Sequence, residues 1–260
     1  MISTCSQLRA QGRADLKGRW AEAAMFTFVI VVIYLFASAI GSAFDAYVFG
    51  ARTIVINDMA DPYSMFRSTS GWISWLMTLL LLPMGWGFNV AFLGNHRHES
   101  DDPFGLGNAF AGYRAFGRVF FTMFVVSLVE LLCFIPYVAS LLVMAMLSGT
   151  GDPTMTLLVC LGCLLFAIPG IWMALRLSMV PYILRDYPGL GVTATLGLSA
   201  RIMAGHKWKL FCLMFSFVGW VILCIFTLCI GLFWVMPYMA QTEADFYEEV
   251  KADYESLKEV

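Results

Sequence analysis

The sequence predicts an all-α fold: a polytopic membrane bundle whose helices cross the bilayer and pack against one another. Of its 260 residues, 60% are hydrophobic and only 13% are charged, whereas soluble domains carry about 25% charged residues. The apolar residues fall in runs of about 20 or more, the length that a helix needs to cross a membrane. Proline and glycine interrupt most of these runs, as is typical of kinked helices in a compact bundle. A soluble fold is therefore excluded.

Five apolar segments are candidate spans, and they cover 21–44, 71–95, 118–147, 154–184 and 210–241. The last segment is too long for one crossing, because a straight helix over it would measure about 48 Å against a hydrocarbon core of about 30 Å. A tight reversal at Leu228–Gly231 resolves this conflict. Residues 232–249 then return as a sixth span whose second half is polar. We therefore expect six transmembrane helices.

Basic residues predict the orientation of these spans. The segments 1–20, 96–118 and 185–209 hold eleven Lys and Arg residues, whereas the loops at 45–70 and 148–153 hold two. Loops rich in Lys and Arg stay on the cytoplasmic side of a membrane. The N-terminus is therefore expected inside, and six spans bring the C-terminus back to the same side.

One phrase occurs twice, as DDPFGLG at 101–107 and as RDYPGLG at 185–191. Proline followed by Gly-Leu-Gly stops one helix and lets the chain turn before another begins. Each copy follows an apolar span and precedes a basic cluster. The sequence therefore predicts a single membrane domain over 1–250, built from three hairpin pseudo-repeats and followed by an acidic tail. The repeats cover 1–98, 99–185 and 186–250, and the tail covers 251–260.

Each pseudo-repeat begins with a segment that can lie flat in the membrane interface as an amphipathic helix. Leu106, Phe110 and Tyr113 recur at helical spacing in the second segment. The apolar faces of the other two hold Ile2, Cys5, Leu8, Leu16 and Trp20, and Val192, Leu196 and Met203. Basic side chains nearby can reach anionic head groups. We predict a basic collar that binds lipid head groups, formed by Arg9, Arg13, Lys17, Arg19, Trp20, Arg114, Arg118, Arg201, His206, Lys207, Trp208 and Lys209.

Long motifs in the second half of the chain carry a family resemblance. They read IPGIWMALRLSMVPYIL, MAGHKWKLFCLMFSFVGW and TLCIGLFWVMPYMAQTEADFYEE, and they lie between Ile168 and Glu249. Together with LRAQGRADLKGRW near the N-terminus, they resemble the bacterial membrane family catalogued as domain of unknown function 975. The resemblance implies a bacterial inner-membrane location and six helices with both ends inside. It implies no activity and no catalytic residue.

Glu130 and Arg176 are the main ionisable residues deep in the predicted spans. At the rise of an α-helix, Glu130 lies about 18 Å from Arg118, and Arg176 lies about 13 Å from Arg185. Because the two spans run antiparallel, both residues reach a comparable depth, and we predict a buried ion pair between them. Such a pair fixes helix register or belongs to a polar transport pathway, since intramembrane charges are often functional. The first interpretation is favoured, because a single closed pair offers no relay.

The polar stretch HRHESDD covers residues 96–102. Its side chains can bind a divalent metal ion or sense pH, and they are His96, His98, Glu99, Asp101 and Asp102. A solvated turn is favoured, because His206 is the one further histidine in the sequence. Motifs such as G-x-S-x-G, H-E-x-x-H and the P-loop are absent from the sequence. We predict no catalytic residue, no cofactor and no metal ion, and a net charge of −2 indicates no nucleic-acid partner.

These observations favour a non-enzymatic scaffold or regulator that engages anionic lipid head groups, or a membrane-protein partner, through the basic collar. The alternative from another class is a small-solute or lipid transporter that uses the proline-broken helices and the Glu130–Arg176 pair. A lipid-modifying enzyme is a third interpretation, for which the sequence offers only His96, His98 and Asp102. A continuous polar cavity at the midplane would indicate transport, and a dry midplane would indicate a scaffold.

Overall fold

The computed structural model describes residues 3–49, 72–99, 101–147, 153–227 and 230–258. Within these ranges the secondary structure is helical and contains no strand. The helices are α1 Cys5–Asp15, α2 Trp20–Phe49, α3 Trp72–Leu80, α4 Leu82–His96, α5 Leu106–Ala109, α6 Ala111–Arg114, α7 Phe116–Leu147, α8 Pro153–Leu177, α9 Val180–Asp186, α10 Val192–Ile202, α11 Lys207–Phe215, α12 Val218–Phe226 and α13 Leu232–Ser256. The predicted all-α class is confirmed.

Five helical segments are long and apolar enough to cross a membrane, at Trp20–Tyr47, Ile73–His96, Phe116–Leu141, Cys160–Asp186 and Lys207–Phe226. Large apolar side chains along them stay exposed, as Leu35 and Leu164 illustrate with 65% and 70% of their surface accessible. Exposure of this extent suits a hydrocarbon environment, because soluble proteins rarely leave such wide apolar surfaces uncovered. The membrane character predicted from composition is therefore confirmed.

The last apolar region is not one continuous helix. Helix α12 ends at Phe226, and α13 begins at Leu232. The two helices pack against each other. The Ile230 N–H donates to the Thr227 carbonyl (3.1 Å), and a Cβ on Gly231 would lie 2.8 Å from the Cys224 sulfur. The break between Phe226 and Leu232 agrees with the predicted reversal, of which Leu228 and Cys229 lie outside the described residues. A sixth span over 232–249 remains a prediction, since α13 is not among the five apolar segments.

Contacts divide the chain into two compact units. Unit 1 comprises Met1–Ile33, Leu82–Val126 and Leu175–Val260, and unit 2 comprises Tyr34–Leu81 and Ser127–Ala174. The three predicted pseudo-repeats remain a prediction.

Unit 1 is organised around α13, which packs against α1 and α4. Leu8 and Leu16 of the N-terminal segment are fully buried, as are Phe246 and Val250 on one face of α13. Each such side chain contributes about 1.5–3 kcal/mol relative to an exposed one. Gly12 lets α1 approach closely, because a Cβ at this position would lie 2.6 Å from the Thr242 hydroxyl oxygen. Small residues at helix crossings are typical of membrane bundles.

The three predicted interfacial segments differ in what covers their apolar faces. Leu8 and Leu16 of the first segment are buried where α1 packs against α13, so protein rather than lipid covers them. In the second segment, Leu106 and Phe110 remain about half exposed, at 51% and 45%. In the third, Met203 is fully buried, whereas Val192 and Leu196 are partly buried. An apolar stripe predicts a buried face but does not say which neighbour buries it.

In unit 2, a polar contact joins α2 to α3. Asp45 near the end of α2 accepts hydrogen bonds from the N–H groups of Ile73 and Ser74, each at 3.1 Å, and from the Ser74 hydroxyl at 3.0 Å. The first N–H groups of a helix have no partner within the helix. Asp45 therefore caps the N-terminus of α3, and its negative charge suits the positive end of the helix dipole.

Candidate functional site

A group of buried polar side chains lies in unit 1, where α1, the end of α4 and α13 meet. We call it the polar cluster, and its members are Asp15, Asn95, His96, Gln241 and Asp245. Asn95, Gln241 and Asp245 are almost completely buried, whereas the side chains of Asp15 and His96 keep 18% and 21% of their surface accessible. The cluster is therefore buried on one side and open on the other.

The centre of the polar cluster is the imidazole of His96. Its Nδ1 lies 2.7 Å from an oxygen of Asp15 and 3.0 Å from Oδ1 of Asp245. Both carboxylates thus share one ring nitrogen. The other oxygen of Asp245 is buried and, within the described residues, has no hydrogen-bond partner. A buried carboxylate oxygen without a donor is uncommon and has an energetic cost.

Two amides hold this arrangement in place. Asn95 donates to the Gln241 side-chain oxygen (2.9 Å) and to the Asp15 main-chain carbonyl (3.1 Å). Gln241 in turn donates to Oδ1 of Asp245 (2.9 Å). Gln241 and Asp245 are four residues apart and therefore lie on the same face of α13. On the open side, Arg19 donates to the Asn95 side-chain oxygen (3.2 Å).

A second set of charges, here called the ion network, lies beside the polar cluster. Arg97 forms a two-pronged pair with Asp186, with both N–O distances 2.8 Å, and its Nε donates to Glu248 at 2.6 Å. Asp186 also accepts hydrogen bonds from Tyr247 (2.9 Å) and Lys251 (2.6 Å). The hydrogen bonds to Asp186 and the negative charges nearby raise the pKa of Arg97, although burial opposes this. The guanidinium is therefore charged. It joins the end of α4 to Asp186 of α9 and to Glu248 of α13.

The basic collar predicted from the sequence contains side chains of two kinds. The exposed members are Arg13, Lys17, Arg114, Arg201 and Trp208. Four of these five members are cations, and among the described residues none of the four forms a salt bridge or a side-chain hydrogen bond. Their charge is thus available to an external anion.

The other members of the basic collar are partly buried, and they are Arg9, Arg19, Trp20, Arg118, His206, Lys207 and Lys209. Arg118 donates to the main-chain carbonyls of Leu184 and Pro188. The His206 ring lies 3.5 Å from an Asp253 oxygen. These contacts are internal, so part of the predicted collar contributes to unit 1 itself.

The predicted ion pair between Glu130 and Arg176 remains a prediction, because the two residues belong to different units. Glu130 lies within α7 and is partly buried. Arg176 has an exposed side chain, and its main-chain carbonyl accepts a hydrogen bond from the Ser199 hydroxyl at 2.9 Å.

The stretch HRHESDD divides into residues that face the protein and residues that face outward. His96 and Arg97 join the polar cluster and the ion network, whereas His98, Asp101 and Asp102 are exposed. Exposure of His98, Asp101 and Asp102 is consistent with the predicted solvated turn, whereas His96 and Arg97 are partly buried. The sequence interpretation missed the partners of His96 and Arg97, which come from distant parts of the chain. The one local signal was Gln241 and Asp245, which are spaced four apart at the end of the last apolar segment.

A model of the family described as "Protein of unknown function (DUF975)" matches residues 1–254 of this chain. The match covers the basic collar, the polar cluster and the ion network. No curated protein and no solved structure matches the chain.

Proposed function

The chain belongs to the DUF975 family, and from this premise we propose that it is a non-enzymatic scaffold or regulator of the bacterial inner membrane. In this proposal the basic collar engages anionic lipid head groups on the cytoplasmic side. The observation that carries it is the division of charge in unit 1. Arg97 pairs with Glu248 of α13 and with Asp186, and Lys251 also pairs with Asp186. The exposed cations of the collar, in contrast, form no salt bridge among the described residues.

Contacts between the two ends of the chain support a topology with both ends on one side of the membrane. The Ser3 N–H donates to Glu249 (2.9 Å), and the Tyr238 hydroxyl donates to the Arg9 carbonyl (3.0 Å). Both ends therefore lie together, which supports an even number of crossings. The excess of Lys and Arg in the adjoining segments places this side in the cytoplasm. We therefore propose an even number of crossings.

An even number is reached by six crossings or by four crossings and a re-entrant hairpin. Trp20, the first residue of α2, pairs with Tyr238, and Phe28 pairs with Phe233, with ring centroids 6.0 and 5.2 Å apart. From Tyr238 to Gly231 the helix rises only about 10 Å, far less than a hydrocarbon core of about 30 Å. This register supports a hairpin of α11–α13 that enters and leaves on the cytoplasmic side.

Cysteine labelling separates these two topologies. In a cysteine-free background, Ile230→Cys is expected to resist a membrane-impermeant thiol reagent applied to intact cells. Thr150→Cys, in the loop predicted to face outward, is the positive control. Labelling of position 230 from outside would support six complete crossings and contradict the re-entrant hairpin.

The lipid-binding proposal is tested by neutralising exposed cations in pairs. In reconstituted vesicles, spin-labelled phosphatidylglycerol is expected to associate with the wild-type protein in preference to phosphatidylcholine. Each cation near an anionic surface contributes about 1 kcal/mol, so Arg13→Gln with Lys17→Gln should reduce this preference by roughly tenfold or more. The effect should weaken at high salt, because screening shortens the range of charge interactions.

The matched control is Arg52→Gln with Arg67→Gln, which removes two charges from the loop predicted to face outward. This double variant should retain the preference for phosphatidylglycerol. Equal preference in the wild type and the Arg13/Lys17 variant would refute a lipid-binding collar.

A transporter is the second candidate, because Glu130 is a partly buried carboxyl within a helix long enough to span the membrane. Intramembrane carboxyls often belong to ion or proton pathways. A charge exchange tests its predicted partner: Glu130→Arg combined with Arg176→Glu should restore the thermal stability that either single change removes. If the double variant is no more stable than the singles, the pairing is wrong and this candidate loses its site.

A further inference from the structure

We propose that Asp15, His96 and Asp245 form a binding site for one divalent transition-metal ion, represented by Zn²⁺. One ligand atom from each residue lies within 4.8 Å of the other two. The three residues come from α1, α4 and α13, so the site exists only in the folded protein. This goes beyond the lipid-binding function, which does not depend on it.

The donor set selects the class of metal ion. One imidazole nitrogen and two carboxylate oxygens suit Zn²⁺ and related transition metals, whereas Mg²⁺ and Ca²⁺ prefer oxygen donors alone. Three protein ligands with a further position left for water are typical of open zinc sites. The open side of the polar cluster, where Asp15 and His96 are partly accessible, provides both the entry path and the place for this water.

The charge at the site favours a cation. Asp15 is the last residue of α1 and His96 the last of α4, and the C-terminal end of a helix carries a partial negative charge. The carboxylates of Asp15 and Asp245 add two negative charges, and the His96 imidazole can neutralise at most one of them. Among the described residues, none donates to the buried second oxygen of Asp245, which is an independent indication that this carboxylate is incompletely neutralised.

The surrounding hydrogen bonds resemble the supporting shell of a metal site. Gln241 holds Asp245, and Asn95 connects Gln241 to the main chain of Asp15. Such outer partners orient the ligands and typically change metal affinity 10–100-fold when removed. Here they position two carboxylates from different helices around one ring.

The geometry requires only a small adjustment. The two carboxylate oxygens lie 2.7 and 3.0 Å from His96 Nδ1. Ligand atoms around a tetrahedral Zn²⁺ with bonds of about 2.0–2.1 Å lie roughly 3.3 Å apart. The side chains must therefore separate by a few tenths of an ångström, with Nδ1 binding the ion and Nε2 carrying the ring proton.

Calorimetric titration of the full-length protein tests this proposal. The protein is purified in detergent, treated with a chelator and titrated with ZnCl₂. One saturable ion per chain is expected, and an equal concentration of MgCl₂ should not displace it. Asp15→Asn and Asp245→Asn should each weaken binding by 10-fold or more. Asp15 is partly accessible at a helix end, so its variant is expected to fold and provides the decisive comparison if Asp245→Asn does not.

The controls are His98→Gln and Asp253→Asn, which change an exposed histidine and an acid of α13 outside the polar cluster. Both should bind Zn²⁺ like the wild type. A wild-type protein without saturable binding would overturn the proposal. Equal affinity in the wild type and Asp15→Asn would also overturn it, because the ion would then be held elsewhere, for instance by cysteine thiolates.

Discussion

Asp45 in unit 2 and Asp245 in unit 1 are both buried carboxylates at helix contacts, but their surroundings differ. Asp45 accepts three hydrogen bonds, all from Ile73 and Ser74 at the start of α3. Asp245 shares His96 with a second carboxylate, and within the described part of the chain its second oxygen has no donor. One aspartate is a helix cap, and the other is an incompletely satisfied charge.

The difference separates a structural role from a candidate site. A carboxylate whose donors come from one helix end fixes that helix and leaves nothing for a ligand to add. A carboxylate that lacks donors has a desolvation cost that a bound cation can offset. Burial of an acid is therefore a weak indicator of function by itself, and the number of its satisfied oxygens is the better criterion.

The largest expected effect comes from the ion network of unit 1. Asp186→Asn removes the charge that Arg97 and Lys251 share. Lys251 then lacks its carboxylate partner, whereas Arg97 keeps Glu248. Breaking a buried ion pair from one side typically costs 3–5 kcal/mol. We expect the lower end, about 3 kcal/mol, because Arg97 is partly accessible. Thermal denaturation in detergent, followed by circular dichroism, measures the loss.

The matched control for this variant is Glu255→Gln, which changes an exposed acid of α13 that bonds the Tyr187 hydroxyl. Surface changes of this kind stay within about 0.5 kcal/mol. If Asp186→Asn and Glu255→Gln denature at the same temperature, the ion network does not stabilise unit 1.

An intermediate effect is expected where α1 meets α13. Gly12→Ala places a methyl group 2.6 Å from the Thr242 hydroxyl oxygen, so α1 must shift or Thr242 must turn. Overpacking of a tight contact typically costs about 1–3 kcal/mol. The same shift would move Asp15 away from His96, so Zn²⁺ binding should weaken together with stability.

Gly197→Ala in α10 is the matched control, because a Cβ there meets no atom within 4 Å. Alanine favours a helix over glycine by up to about 1 kcal/mol, so this variant should be neutral or more stable. If Gly197→Ala were also destabilised, the loss of stability in Gly12→Ala would be a general effect of replacing glycine and not evidence for the α1–α13 contact.

The fold was predictable from the sequence to the extent that it depends on local apolar runs. The five apolar segments and the break between Phe226 and Leu232 are such features. The polar cluster was not predictable, because its hydrogen bonds join residues far apart in the chain, such as Asn95 and Gln241, 146 positions apart. No helical period or motif spacing reports contacts at that separation.

The role of α1 shows a second limit of sequence reasoning. Its apolar stripe predicted a helix lying on the membrane, yet Leu8 and Leu16 are buried where α1 packs against α13. A hydrophobic stripe indicates that a face is covered, and lipid and protein satisfy it equally well. Arg13 and Lys17 of the same segment are exposed, whereas Arg9 and Arg19 are partly buried.

The smallest effect is expected from Ser74→Ala at the helix cap of unit 2. The change removes one of three donors to Asp45 and leaves the two backbone N–H groups of α3 in place. The denaturation temperature should therefore fall less than for Gly12→Ala. Asp45→Ala removes the entire cap and should lower it further than Ser74→Ala does. Neither variant should change Zn²⁺ affinity, because unit 2 contributes no ligand. A loss of Zn²⁺ binding in Asp45→Ala would make this carboxylate more than a cap and would end the distinction between the two aspartates.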